Sequence, residues 1–136
     1  MKIMPVDAES PEYQNAIQQA RDSIDVFIKM LIEKPFGDGG VTMVKANIDG
    51  GIFFIWFGNV SLIPGGYLAA TFEEFGRYRV GDQVAVRATD LVDWAVIAPN
   101  GNAFGAYTIE LVMKKLNESE MVEMAKQTGI CGFYRK

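Results

Sequence analysis

Apolar residues recur along this chain with two different periods. From Tyr13 they return at Ile17, Ala20, Ile24, Phe27, Ile28 and Leu31, which lays one stripe along a helix. Gln14, Gln18, Arg21, Asp22, Asp25 and Lys29 occupy the other face. Ser10-Pro11-Glu12 opens the element: a hydroxyl for the free amides, a proline suited to the first turn, and an acid at the positive helix end. Pro35 and Gly37 stop it, so the pattern predicts one long helix over 10–34.

The period then shortens to that of strands. Val41 to Asn47 reads as a strand, Asp49-Gly50 as a turn, and Ile52 to Phe57 as a second strand running past Gly58 through a bulge to Leu62. Pro64-Gly65-Gly66 turns the chain into Tyr67–Phe72, and Gly81 turns it into Gln83–Ala88. Leu91–Ala98 and Ala103–Ile109 follow, on either side of Pro99-Asn100-Gly101-Asn102. Turns at this spacing suit an antiparallel meander. Near the end, Thr108–Leu116 is compatible with a short helix. Asn117 or Ser119 can cap another, with Met121, Met124 and Ala125 inward and Gly129 at its end. Ile130–Lys136 is left as a tail or a last edge strand.

Several strands, Ile52–Phe57 above all, are apolar on both faces. The sheet is therefore expected to be covered on both sides: by the N-terminal helix on one, and by the C-terminal helix, tight curvature or a second subunit on the other. The fold class is α+β: a long N-terminal helix on a curved antiparallel sheet of about six strands, with a short C-terminal helix. All 136 residues are expected to form one domain, with helix over 10–34, sheet over 41–109 and a helical segment over 110–136.

Charge narrows the partners. The net charge is −4 and the pI about 4.8, so phosphate backbones repel the chain. Its basic pairs, Arg77 with Arg79, Lys114 with Lys115 and Arg135 with Lys136, are scattered, and nucleic acid is not an expected partner. No run approaches the ~20 apolar residues of a membrane span, and the N-terminal MKIMPVDAESPEYQ lacks the apolar core of a signal peptide. A lone cysteine, Cys131, excludes an internal disulfide and fits a reducing compartment; the expected location is the cytoplasm.

The absence of histidine excludes Ser-His-Asp and Cys-His catalysis and a His-ligated zinc. No phosphate-cradling glycine motif or calcium loop is present, and no metal or cofactor is expected. What remains is a set of polar residues in apolar strands. Period two places Leu91, Asp93, Ala95 and Ile97 on one face, and Val92, Trp94 and Val96 on the other. A buried carboxylate without partners costs several kcal/mol or neutralises itself by a raised pKa. Lys45 and Arg87 sit in comparable positions on their own strands. Asp93 is thus a structural carboxylate, in an ion pair or accepting backbone amides, or the anchor of a ligand or partner in an apolar groove, or a catalytic acid with no second activating group evident. Asp90 and Asp93 lie on opposite faces and make a poor metal pair.

A further pattern joins these positions. Ala16-Ile17 and Ala20-Arg21 precede Phe27; Val44-Lys45 and Asp49-Gly50-Gly51 precede Trp56; Gly81-Asp82 with Val84, then Asp93-Trp94 and Gly105-Ala106-Tyr107-Thr108, complete the order. From about Ala16 to about Leu116 this resembles the bacterial YegJ-like family, domain of unknown function 2314. The resemblance implies a compact cytoplasmic α+β domain and no established activity. Lys45, Trp56, Asp93, Trp94, Tyr107 and Thr108 match the family pattern. Three places depart from it. Phe53 stands where an acidic residue precedes the tryptophan, Glu110 stands for an arginine, and Thr71-Phe72-Glu73 stands for Asn-x-Pro.

The functional expectation is a non-enzymatic protein-binding or regulatory module, immunity-like in character. It would act through exposed aromatics at Trp56, Tyr67, Trp94 and Tyr107, with another protein or a second copy as partner. The alternative is a small-ligand-binding protein or minor enzyme using Asp93 and Lys45 in a pocket. The candidate binding residues are Lys45, Trp56, Arg87, Asp93, Trp94, Tyr107 and Thr108, with no catalytic or metal-binding residue named.

Overall fold

A computed structural model describes residues 10–47, 54–74 and 77–134. Within them, helices α1 (Pro11–Asp22) and α2 (Ile24–Glu33) precede strands β1 (Val41–Asn47), β2 (Phe54–Ile63), β3 (Gly66–Thr71), β4 (Gln83–Arg87), β5 (Leu91–Ile97) and β6 (Asn102–Gly105). Helices α3 (Tyr107–Met113) and α4 (Glu118–Thr128) and a short strand β7 (Gly132–Phe133) follow. The architecture is α+β with an open, mostly antiparallel sheet in the order β4-β3-β2-β1-β5-β6-β7. The β6–β7 pair is parallel, and Gly132–Phe133 of the tail forms a last edge strand, a seventh beside the six expected. The expected Asp49-Gly50 turn, the start of its strand at Ile52, and Phe53 lie outside the described residues.

The long N-terminal helix is two helices. Ser10 caps α1 as its position predicts, accepting from the Tyr13 amide at 3.1 Å. The break falls at Ser23, whose hydroxyl donates to the Gln19 carbonyl at 2.8 Å. Serine bonding back to the preceding turn competes with the helical ladder and bends it. A distant side chain completes the break: the Trp94 indole N–H donates to the Ala20 carbonyl and to Ser23 Oγ, each at 3.2 Å. The apolar stripe survives the bend, since Ala20, Phe27 and Leu31 are all buried.

Both faces of the sheet are covered, one by α1 and α2, the other by α3 and α4. On the first face Ala20, Phe27 and Leu31 pack on Val44, Phe57, Tyr67, Val86, Trp94 and Val96. On the second, Ile109, Val112, Met113 and Met124 pack on Met43, Trp56, Ala95 and Ile97. Tyr13 and Ile17, from the start of α1, close the end of the sheet against Val92. Helix α4 begins at Asn117 with a complete capping box to Glu120 and ends at Gly129, as its sequence predicts. Met124 is buried, but Met121 is 44% exposed and does not face inward.

One strand expectation holds and another changes. The register between β2 and β3 shifts between Gly58 and Ser61, which is the anticipated bulge, and β2 continues to Ile63. Strand β6, however, ends at Gly105 instead of running to Ile109, and α3 starts two residues later. Gly105 (φ +73°) and Ala106 (φ +54°) both take left-handed conformations, which turns the chain sharply from strand to helix. At Gly105 a Cβ would stand 2.4 Å from the Trp94 carbonyl oxygen, so this close approach requires glycine.

Candidate functional site

The strand register assembles the polar residues. Lys45 on β1 lies opposite Trp56 on β2 and opposite Asp93 on β5, so the three form a row across the middle of the sheet. Next to that row β5 bulges: Lys45 pairs with Asp93 and Ala46 with Leu91, leaving Val92 without a partner. The bulge corrects the period-two assignment. Leu91 joins the Trp94 face, Val92 packs with Tyr13 and Ile17, and Asp93 keeps the opposite face.

Asp93 is fully buried and has four donors. Its Oδ1 accepts the Trp94 amide at 2.8 Å and the Tyr107 amide at 3.3 Å. Its Oδ2 accepts the Thr108 amide at 2.8 Å and the Thr108 hydroxyl at 2.6 Å. Helix α3 has no capping side chain of its own, because Ala106 occupies the cap position. Asp93, from a strand, caps it instead. The first amides of a helix have no partner within it, and its positive end favours a carboxylate. Asp93 therefore ties the middle of the sheet to the start of α3.

Burial outweighs the pull of the Thr108 hydroxyl and amide, the Trp94 amide and the Lys45 charge, and the Asp93 carboxyl is raised from 3.8 to about 6. The group is consequently ionised at neutral pH. Its lone pairs are committed to those four donors, so it has no free position from which to move a substrate proton.

Lys45 is the less saturated member of the row. It is half-buried, and its Nζ donates to Thr108 Oγ1 at 3.5 Å. The Thr108 hydroxyl in turn donates its hydrogen bond to Asp93, so lysine and aspartate are linked through the threonine. The ammonium lies 5.1 Å from the Tyr13 ring centroid and 6.0 Å from that of Trp56. Burial lowers its pKa against the opposing pull of Asp93. Burial and then the Asp93 charge raise the Tyr13 phenol to about 12, so it stays neutral.

The remaining expected residues separate. Trp94 is 1% exposed and points the other way, stacked on Phe27 at 5.1 Å. Arg87 is an exposed residue of β4 that holds Asp90 at 2.8 Å, outside the row. Trp56 and Tyr67 are buried at 4% and 3% exposure, so the expected patch of four exposed aromatics does not form: the two helical layers cover it. Tyr107 alone is half-buried. It lines an open groove of about 570 Å³ at the α1–α2 junction with Val26, Trp94, Phe104 and Tyr134. Sequence reasoning missed Tyr13, Val26, Phe104 and Tyr134 as members of either region. Tyr13 was legible only as helix core, and the other three meet through tertiary packing.

Among the described residues no group of three or more Cys, Asp or Glu is placed to hold a metal ion, and no helix is long and apolar enough to cross a membrane. A family model described as an uncharacterized protein conserved in bacteria, domain of unknown function 2314, matches residues 10–131. Comparison with curated proteins and with solved structures returns no match.

Proposed function

The chain belongs to this family of uncharacterized bacterial proteins, and from that premise we propose that it is a non-enzymatic binding module for another protein. The contact surface is the groove at the α1–α2 junction. The observation that carries this reading is the aromatic lining of an open groove: Phe104 stacks on Tyr134 at 4.2 Å, and Tyr107 meets Trp94 edge-on at 6.3 Å. Val26 and Tyr134, each 37% exposed, stand at its rim. Rigid aromatics anchored from below supply contact area at little conformational cost, which is the usual make-up of binding hot spots. The saturated state of Asp93 supports binding over catalysis.

The substitution pair Val26→Asp and Tyr134→Ala tests this, because both side chains reach solvent and the fold should tolerate their change. Wild type immobilised in bacterial lysate is expected to retain a discrete protein that the double variant releases, with both forms melting within a few degrees of each other. Equal retention by both forms, or none by either, would remove the groove as a binding surface. Alanine at Trp94 would be a poor test, since it would break the core and not just the surface.

A further inference from the structure

The row Trp56–Lys45–Asp93 has more donors than acceptors. The Trp56 indole N–H is buried without a hydrogen-bond partner, in a residue 4% exposed. The ammonium of its cross-strand neighbour Lys45 carries three N–H groups and reaches Thr108 Oγ1 at 3.5 Å. Asp93 cannot supply the missing acceptors, because its oxygens already take two bonds each. Buried donors left unpaired are costly, and native interiors pair nearly all of them. By contrast the second tryptophan, Trp94, has two acceptors for one N–H.

Charge decides what the missing acceptor is. Lys45 and Asp93 neutralise one another at pH 7, so an anion added here would leave a buried net negative charge. A neutral carbonyl oxygen adds no charge. Its two lone pairs can take one bond from Lys45 Nζ and one from Trp56 Nε1, and its apolar substituents suit the Tyr13 and Trp56 rings beside the ammonium. We propose that Lys45 and Trp56 form a binding site for a neutral carbonyl group of the amide class, entered beside half-buried Lys45. This site is separate from the groove lined by Val26 and Tyr134, and either can fail without the other.

The test uses the intact protein labelled with nitrogen-15 and its two indole N–H resonances, assigned with Trp56→Phe. N,N-dimethylacetamide, which accepts and cannot donate, is the probe; sodium acetate at matched ionic strength is the comparison. The Trp56 proton is expected to shift downfield saturably with the amide, while the Trp94 proton stays in place. Lys45→Met should weaken the response roughly tenfold or more, the usual value of a hydrogen bond to a charged donor. The unmoved Trp94 resonance reports that the variant is folded. A Trp56 proton that ignores the amide and shows a close contact to water would mean that water satisfies it, and would overturn the proposal. Binding of acetate as tight as the amide would overturn the neutral-carbonyl assignment. An unweakened response in Lys45→Met would remove the lysine from the site.

Discussion

The two tryptophans, one on each face of the sheet, show how differently the faces are finished. Trp94 stacks on Phe27 beneath the α1–α2 bend, and its indole N–H is held by the Ala20 carbonyl and the Ser23 hydroxyl. There the buried indole N–H has two acceptors. Trp56, on the α3–α4 face, is almost as buried, yet its N–H is unpaired and a lysine and an aspartate lie beside it in register. The lesson is that burial alone does not separate a structural residue from a functional one; the balance of donors and acceptors does. Trp94 and Asp93 are saturated and hold the fold together. Lys45 and Trp56 are not, and retain capacity for a ligand.

The largest expected effect tests the apolar face around Trp94. Phe27→Ala removes the ring between Trp94 and Tyr67 and should lower stability by ~3–5 kcal/mol in urea unfolding, the range for deleting a buried aromatic. A loss below ~1 kcal/mol would mean that α2 is not part of that core.

The next effects test whether the polar face is built on an ionised, saturated carboxylate. Asp93 has a folded pKa of about 6 against 3.8 for the free group, so the folded state binds the proton more tightly. Its contribution to stability is therefore fully present below about 3.8 and is lost as pH rises through about 6. Other carboxylates are removed from the comparison by subtracting Asp93→Asn. The stability of wild type minus variant should widen as pH falls from 8 to 4.5, by at most ~3 kcal/mol at ~1.4 kcal/mol per pKa unit. A difference that stays flat or narrows toward acid would show that the carboxyl is not pushed up by burial.

Asp93→Asn at pH 7.5 should itself cost ~1–3 kcal/mol. Both carboxylate oxygens accept backbone amides, so the carboxamide must turn an N–H₂ group toward an N–H whichever way it is placed. An unchanged melting temperature would end the account of Asp93 as the cap of α3.

The smallest effect sharpens the contrast most. Lys45→Met should change stability by less than ~1 kcal/mol, because the thioether fills the space between Tyr13 and Trp56 without the cost of burying a charge. It should also raise the Asp93 pKa above about 6, since the Lys45 charge now holds it down. A large destabilisation would make the lysine a structural partner of Asp93, like the threonine.

Much of this fold was legible from local chemistry. Ser10 as a cap, the apolar stripe of the first helices, β1 from Val41 to Asn47, the bulge after Gly58 and the Asn117–Gly129 helix follow from propensity, period and capping. These act over a few residues. A covered sheet was legible as well, because strands apolar on both faces leave no wet side. The position of Asp93 inside an apolar strand marked it as unusual and allowed a carboxylate accepting backbone amides, but the helix it caps was not readable, since three of its four donors lie on another element. Two features defeated period counting for the same reason. The bulge at Val92 moves Leu91 to the other face, and the bend at Ser23 is completed by an indole from β5.

What the sequence by itself determined, then, is most of the elements, the two-sided burial of the sheet, and the chemistries excluded by the absence of histidine and the single cysteine. Only the tertiary structure decided which polar groups are satisfied. It brought Tyr107 and Thr108 over Asp93, set Lys45 between two aromatic rings and left the Trp56 N–H unpaired. Periodicity specifies which face a side chain occupies. Hydrogen-bond satisfaction depends on atoms far apart in the chain meeting within about 3 Å, and only the packed molecule sets those distances.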